Sequence, residues 1–377
     1  MPTYLKPGVF VEEIRGRSQP LEAAGTSTAA FAGKLVQGPV GEPALIRSWL
    51  EYEHIFGPVS SEKDTMGIAV DCFFRNGGSR AYVCRLPDRA RASGYRRLFS
   101  GPLSRIADIN IIILPGVCWR ASGKLVLADA VAHCEAMGNR MVIIDLPDIE
   151  LSSVSDVSAL SLPASSFSVC YYPWVKISSP LKADRTISVP PSSFAAGLWS
   201  KVDADRGVWK TPAGLQAGLH GVSGLQYAVE DNLQDQLNPL GVNCLRNMPA
   251  IGPVIWGART LSTRADPEWR YVPVRRTAIM IEQSIYNGIR WAVFEPNEHT
   301  LWSALRADIG GFMNGLFRAG AFQGEKASDA YFVRCGLGDT MTQADLDAGQ
   351  VIVVVGFAPL KPAEFVIVRI QQKVNQP

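Results

Sequence analysis

The run INIIIL at residues 109–114 and the run MVIIDL at residues 141–146 decide the fold class of this 377-residue chain. Residues 123–138 between them predict a helix, and Pro115-Gly116 is predicted to end the first strand. Strands that are apolar at nearly every position are buried on both faces, as in parallel sheets that carry helices on each side. The alternation therefore predicts an α/β fold with a largely parallel sheet.

The sequence before these strands continues the alternation. It predicts a buried strand at 26–36, a helix at 66–75 and a strand at 80–86. A short helix, SWLEYEHIF, is also predicted, with Ser48 as its N-cap, Glu51 at the capping-box position and Gly57 at its end. After the deciding strands, residues 152–168 hold eight serines and predict a surface loop. The segment SVCYYPWVKI at 168–177 predicts one further strand.

The last third of the chain has the clearest helical period. Asn297 is predicted to cap a helix that Gly320 ends, and its apolar residues recur with a 3.6-residue period. The predicted buried face comprises Leu301, Trp302, Leu305, Ile309, Phe312, Met313, Leu316 and Phe317. Strands are predicted at 332–335, 351–359 and 364–372.

Both ends of the chain predict extended structure. Residues 1–20 contain Pro2, Pro7 and Pro20, which exclude a helix, and their valines and aromatic residues favour a strand. The strand at 364–372 lies almost at the carboxyl terminus, where chains usually fray, so it needs a pairing partner.

Composition indicates a globular protein of two or three folded units. Hydrophobic residues make up 47% of the chain and charged residues 19%, and the net charge is +2. This balance argues against a dedicated nucleic-acid-binding protein, although residues 75–105 hold eight arginines and one acidic residue. We interpret those arginines as a solvated or partner-facing surface. The amino terminus does not resemble a signal peptide, and we expect no membrane-spanning segment.

The sequence contains no recognisable catalytic constellation. The seven cysteines lack metal-site spacing and predict reduced core thiols of a protein made in a cytosol. The four histidines are isolated, and no nucleophile elbow, P-loop or dinucleotide fingerprint occurs. The segment DADRGVWKTPAG invites an active-site interpretation through Asp203, Asp205, Arg206 and Lys210, but without a nucleophile a structural ion pair is favoured. We therefore predict no catalytic residue, cofactor site or metal site.

Several stretches, in order along the chain, resemble the sheath proteins of contractile phage tails and related injection machines. They are YLKPGVFVEEI with GTSTAAFAGKLVQGPVGEPALIRSW, VPPSSFAAGLWSKVDADRGVWKTPAG (189–214), NPLGVNCLRNMPAIGPVIWGARTLS (238–262), DPEWRYVPVRR (266–276), EPNEHTLWSALRADIGGFMNGLF (295–317) and GDTMTQADLDAGQVIVVVGFAPLKPAEFVIVRI (338–370). The resemblance covers about residues 1–85 and 169–377, and residues 86–168 match poorly.

The resemblance implies a subtilisin-like α/β middle domain, a carboxyl-terminal α+β domain and extended β-strand arms at both ends. The implied boundaries are an amino-terminal arm at 1–20, the middle domain at 21–245 with a variable, outward-facing part at 86–168, a tube-proximal domain at 246–358 and a carboxyl-terminal arm at 359–377.

The resemblance also implies that the arms pair with strands of neighbouring subunits. The arm residues are Tyr4, Val9, Phe10, Val11 and Glu12 at one end and Phe365, Val366, Ile367, Val368, Arg369 and Ile370 at the other. The candidate acceptor strand comprises Val351, Val353 and Val355. Hinges are expected at Pro20, Gly25, Pro359 and Pro362, which could absorb dihedral change while the arms stay paired.

The outer face of the 298–318 helix offers Arg306, Asp308, Asn314 and Arg318 as tube-facing candidates; the alternative is an ordinary solvated helix face.

The implied function is that of a structural subunit that polymerises as stacked hexameric rings around an inner tube and contracts. Implied partners are further copies of the chain, the inner tube protein, and baseplate and terminator or cap proteins, without nucleic acid or membrane insertion. We expect synthesis in the bacterial cytoplasm and a place in a virion tail or injection particle. A phage tail, a bacteriocin and an extracellular injection system all remain open. The alternatives are a tail-tube or baseplate protein and an α/β hydrolase-like or nucleotide-dependent enzyme.

Overall fold

The structure is a computed structural model that describes residues 20–87, 91–262 and 266–364. The predicted arm residues from Tyr4 to Glu12 and from Phe365 to Ile370 lie outside these described residues. The chain divides into two compact units. Within the described residues, the larger unit takes 23–283, 321–323 and 359–364, and the smaller unit takes 20–22, 284–320 and 324–358.

The larger unit is built from eleven described strands and eight described α-helices. The strands are β1 (Ala29–Lys34), β2 (Ala44–Ile46), β3 (Ala81–Leu86), β4 (Ile111–Cys118), β5 (Met141–Asp145), β6 (Ser168–Tyr172), β7 (Val175–Ser178), β8 (Thr186–Val189), β9 (Gly224–Leu225), β10 (Val242–Met248) and β11 (Gly252–Ile255). The helices are α1 (Trp49–Phe56), α2 (Thr65–Arg75), α3 (Ala92–Ser100), α4 (Lys124–Met137), α5 (Val154–Leu160), α6 (Ser192–Arg206), α7 (Asp231–Leu237) and α8 (Val272–Gly288), inside which the unit boundary falls.

An eight-stranded sheet forms the centre of the larger unit, in the order β11-β10-β6-β5-β4-β1-β3-β2. The six inner strands are parallel, and only the edge strands β2 and β11 are antiparallel to their neighbours. Because β1 lies between β3 and β4, the parallel strands follow the order of a doubly wound sheet. The predicted parallel α/β unit is confirmed.

Each central strand sends alternate side chains into two separate cores, one on each face of the sheet. In β4, Ile111 and Ile113 enter the core that contains Phe73 of α2 and Trp199 of α6. Ile112 enters the opposite core, together with side chains of α3 and α4. This two-sided burial explains why the strands are apolar at successive positions.

The predicted elements at 26–36, 66–75, 80–86, 123–138 and 141–146 all occur, with small differences at their ends. The N-cap of α1 is Ser48, whose side chain accepts a hydrogen bond from the Glu51 backbone N–H at 3.2 Å, as predicted. The Glu51 carboxylate accepts a bond from the Arg47 backbone N–H at 2.7 Å, one residue before the expected capping-box position.

Three local predictions were wrong. Strand β4 does not end at Pro115-Gly116 but continues to Cys118, because a shift in its register against β5 accommodates these residues. The serine-rich segment 152–168 is not all loop: Ser153 and Asp156 form a capping box that begins α5.

The predicted strand at 168–177 is two strands. Pro173 cannot donate a ladder hydrogen bond, so β6 ends before it. Strand β7 then joins a separate antiparallel sheet with β8 and β9.

The predicted domain limits also differ from the observed units. The limit at residue 245 falls inside β10, which continues the central sheet. Val272 and Ile279 of α8 are buried in a core of the larger unit, so the chain leaves this unit only after Gln283. Residues 359–364, predicted to begin the carboxyl-terminal arm, belong to the larger unit as well.

The smaller unit contains α9 (His299–Arg318), α10 (Ala327–Ala330), β12 (Tyr331–Arg334), α11 (Gln343–Asp347) and β13 (Val354–Phe357). Its helix α9 buries six of the eight residues of the predicted face, while Phe312 and Phe317 are half-buried. Glu298 is the N-cap, not Asn297 as predicted. Asn297 instead accepts a hydrogen bond from Trp302 Nε1 at 2.8 Å. Within the described residues, no helix is both long and apolar enough to cross a membrane.

Candidate assembly site

The smaller unit contains a two-stranded ribbon formed by β12 and β13. Strands β12 and β13 are antiparallel, with Val333 opposite Val355 and Arg334 opposite Val354. Among the described strands, these two form a sheet of their own. Phe332 and Val354 on one face are 49% and 41% exposed. A two-stranded ribbon of this kind is a candidate to accept a further strand through backbone hydrogen bonds.

The three predicted acceptor residues take different positions around this ribbon. Val355 lies within β13, where it pairs with Val333 of β12. Val351 and Val353 precede the strand and pack, partly buried, against the core that contains Leu305 and Cys335. The predicted strand at 351–359 is therefore shortened to the residues of β13.

The four tube-facing candidates do not share one exposed face of α9. Arg318 is exposed and Asn314 half-buried. Arg306 is half-buried and donates hydrogen bonds to the Cys335 carbonyl and, at 3.0 Å, to Ser303 Oγ. Asp308 is buried, which contradicts its assignment to the outer face. Position 308 follows Leu305 by one helical turn and adjoins Ile309, so it lies on the buried side of the helix.

A buried ion pair in the larger unit holds the chain close to the amino-terminal arm. The side chains of Asp203 and Arg276 are only 6% and 5% exposed. Thr26 donates a hydrogen bond from Oγ1 to Asp203 Oδ2 at 2.6 Å, and Arg276 Nη2 donates to the Thr26 carbonyl at 2.9 Å. Arg276 also lies over the ring of Trp199, 4.6 Å from its centroid. The predicted structural role of Asp203 is confirmed.

A second, largely buried ion pair holds the last described residue, Glu364. Arg259 donates from Nε to Glu364 Oε1 at 2.9 Å and from Nη2 to Oε2, while Tyr271 Oη donates to Oε2 at 3.1 Å. Burial alone would lower the pKa of Arg259, but the Glu364 hydrogen bond and charge outweigh it and raise that pKa. Sequence reasoning missed this contact because its partners are 105 residues apart.

Among the described residues, the crevice at which doubly wound proteins bind ligands shows no catalytic constellation. It lies at the carboxyl ends of β1 and β4, has a volume of about 350 Å³ and is lined by Lys34, Arg91, Arg120 and Cys118 among others. Burial, and then the charge of Asp145, raise the pKa of Cys118 to about 12, so its sulfur stays a thiol at neutral pH. Its described lining contains no histidine or carboxylate that could act as a base.

Other titratable groups of the larger unit are buried in structural positions. His133 stacks on Phe99, with ring centroids 5.3 Å apart, and burial together with Arg140 lowers its pKa to about 4. All seven cysteines are free and buried, as predicted for core thiols. Among the described residues, no group of three or more histidine, cysteine or carboxylate side chains is placed to hold a metal ion.

Comparisons with known proteins converge on one family. Residues 264–373 match the phage tail sheath C-terminal domain. The chain is 32% identical over 162 residues to a tail sheath protein of Burkholderia phage BcepMu, a match that covers 41% of this chain and 34% of that protein. It is also 26% identical over 134 residues to a tail sheath protein of Vibrio phage KVP40, covering 35% of this chain and 20% of that protein. These matches span less than half the length of the curated relatives.

Solved structures match over nearly the whole chain. The chain of the PVC sheath complex, from an extracellular contractile injection system in its contracted state, is 31% identical with a TM-score of 0.83, and 99% of each chain is covered. The contracted helical sheath of the anti-feeding prophage is 30% identical with a TM-score of 0.81, covering 98% of this chain and 100% of that one. A sheath tail protein of Desulfitobacterium hafniense, 11% identical with a TM-score of 0.63 over 94% of this chain and 100% of that one, shares the fold.

Proposed function

The chain belongs to the contractile sheath proteins, and from this premise we propose that its copies polymerise as stacked six-membered rings around an inner tube. Contraction of these rings would drive the tube through a target envelope. The observation that carries the proposal is the full-length likeness, at 31% identity, to a sheath subunit solved in the contracted state. Baseplate and terminator or cap proteins are the further partners of such a cylinder.

Strand exchange is the linkage that we propose between subunits. The arm residues around Val9 and Ile367 would add strands to β-structure of neighbouring copies, and the exposed apolar side chains Phe332 and Val354 on the β12–β13 ribbon support this role. Five or six ladder hydrogen bonds at about 1 kcal/mol net each would contribute several kcal/mol per arm. Such a linkage would persist while the bodies rotate, because it does not use their other surfaces.

The bodies of neighbouring subunits would make one set of polar contacts in the extended sheath and a different set in the contracted sheath. The arms and the subtilisin-like description of the middle domain remain part of this proposal; the doubly wound order of the inner strands supports its α/β character. Of the tube-facing candidates, Arg306, Asn314 and Arg318 remain, because Asp308 is buried. Polar contacts suit a surface that must release the tube.

Synthesis in the bacterial cytoplasm, followed by a place in a tail or injection particle, completes the proposal. Seven buried free thiols support folding in a reducing compartment.

Deletion of residues 1–14 tests the strand exchange. We expect the shortened chain to stay folded by circular dichroism and to form no cylinders in negative-stain electron microscopy, whereas the full chain forms wide ribbed ones. Cylinders of normal length from the shortened chain would contradict the proposal. Narrow smooth tubes from the full chain would indicate a tail-tube protein instead. Isolated discs would indicate a baseplate component, and peptidase or nucleotidase turnover an enzyme.

A further inference from the structure

The segment from Pro359 to Glu364 is attached to the larger unit at both of its ends. Pro359 forms an antiparallel bridge with Phe322, and Glu364 is bound by Arg259 and Tyr271. Pro362 lies between these two attachments. The expected hinge residues Pro359 and Pro362 therefore come before the point at which Glu364 is fixed to the larger unit.

The arginine at this fixed point is itself held by the central sheet. Its backbone N–H donates to Asn243 Oδ1 at 2.6 Å, and Asn243 Nδ2 donates to the Arg259 carbonyl at 2.8 Å. The same Nδ2 donates to the Cys170 carbonyl at 3.0 Å. Asn243 lies in β10 and Cys170 in β6, and both are fully buried. A continuous hydrogen-bonded path thus runs from two strands of the sheet to the carboxylate of Glu364.

Tyr271 contacts the same carboxylate from a second stretch of backbone, which forms a β-bridge with Arg259. Arg259 and Tyr271 face each other in an isolated antiparallel bridge, so their side chains converge from two stretches of backbone. Side-chain exposures of 9% for Arg259 and 16% for Glu364 mean that salt screens the pair only weakly. A bidentate guanidinium contact fixes the direction of a carboxylate as well as its position.

We propose that Arg259 and Tyr271 form a clamp on Glu364 that sets the point and direction in which the carboxyl-terminal arm leaves the body. The arm pivots after Glu364, and Pro359 and Pro362 do not move during contraction. This inference rests on the proposed strand exchange, since a fixed root delivers the arm to one neighbouring copy. The chain that follows the amino-terminal arm is also fixed to the body, because Asp203 and Arg276 form hydrogen bonds with Thr26.

The clamp resists opening because either charge alone would be left buried. Removing one partner of a buried ion pair is strongly destabilising, whereas replacing both with uncharged side chains of similar volume is often neutral. The double variant Arg259→Met/Glu364→Gln therefore removes the ion pair of the clamp without leaving an unpaired charge. With this double variant, a change in the direction of the arm can be distinguished from a loss of folding.

The test combines a distance measurement with assembly. Because all seven native cysteines are buried, spin labels can be attached selectively at Asn232→Cys on the body and Val366→Cys just beyond the clamp. In the unassembled full-length chain we expect a narrow distance distribution with the clamp intact and one at least twice as broad in the double variant. We further expect the double variant to melt close to the parent temperature and to form at least tenfold fewer sheaths by sedimentation and electron microscopy.

The matched control is Arg246→Met/Asp231→Asn. Arg246, Asp231, Arg259 and Glu364 all line one cavity of the larger unit, and this control removes the Arg246–Asp231 ion pair without changing Glu364. This control should keep both the narrow distribution and assembly. An unchanged distribution in the clamp variant, or normal sheaths from it, would overturn the inference.

A deletion of residues 365–377 distinguishes a failure of the proposed strand exchange from a failure of the proposed clamp. Normal sheaths from this deletion would contradict strand exchange by the carboxyl-terminal arm itself. Loss of sheaths in the deletion, with normal sheaths in the clamp variant, would contradict the clamp alone.

Discussion

The charge state of Asp145 is set by its buried surroundings. It ends β5 and accepts hydrogen bonds from Ser192 Oγ at 2.8 Å and from the Ser192 backbone N–H at 3.3 Å. Burial outweighs both bonds and raises the pKa of the carboxyl from 3.8 to about 7. The folded protein therefore binds a proton at Asp145 over a pH range in which the unfolded chain has lost it.

The consequence is a measurable loss of stability as the pH rises. Between pH 4 and pH 7 the native state binds more protons at Asp145 than the unfolded chain does, so the free energy of unfolding falls, by an amount on the order of 4 kcal/mol. Asp145→Asn cannot ionise and should gain several kcal/mol relative to the parent protein between pH 4.5 and pH 8 in urea unfolding. The exposed control Asp205→Asn should show no such trend. An Asp145→Asn difference that is constant with pH would refute the raised pKa.

Single residues also show where sequence reasoning lacked information. The hydrophobic period of α9 predicted most of its buried face, but it assigned Asp308 to solvent because a carboxylate is normally exposed. The contact between Arg259 and Glu364 gives no local signal at all. Periodicity reports which side of an element is buried, and it carries no information about partners that are distant in the chain.

At the scale of elements, the predictions succeeded where a local sequence pattern defines the element. They failed where the end of a strand depends on the strand with which it pairs. The strands β1 and β5 were predictable because two-sided burial makes each an almost continuous apolar run. The end of β4 depends on its register against β5, and the break before β7 depends on which sheet each strand joins. In α5, a capping box outweighed a serine-rich composition that resembles a loop.

The β12–β13 ribbon yields a prediction that belongs to this scale. Val354→Lys places a charge on an exposed position of the strand, the means by which natural edge strands resist pairing with other chains. Because the side chain is 41% exposed, we expect the melting temperature of the isolated chain to change little. Sheath formation, measured by sedimentation, should fall about tenfold if the ribbon accepts an arm. Val354→Thr keeps a β-branched, uncharged side chain and should assemble like the parent; equal assembly of the lysine variant would exclude this edge as the acceptor.

At the scale of the whole molecule, the division into two units follows from the way the chain builds its cores. The larger unit buries two extensive cores on the faces of one sheet, whereas the smaller unit has a described core cluster centred on Leu301, Trp302, Leu305, Cys335 and Met341. The smaller unit has fewer residues, and a shorter stretch of chain buries a smaller fraction of its surface, so this unit should unfold locally at lower denaturant.

The distribution of thiols makes this difference measurable without any substitution. Cys335 lies in the smaller unit and the other six cysteines lie in the larger one, and all are buried. Because burial raises their pKa values, they should react slowly in the native state. In urea below the main unfolding transition we expect one thiol to react with a disulfide reagent ahead of the rest, and peptide mass spectrometry should identify it as Cys335. Simultaneous reaction of all seven would show that the chain unfolds as one cooperative unit. Early reaction of Cys335 would instead mean that the ribbon can open while the sheet stays intact, a property that suits a strand acceptor which must admit a segment of another copy.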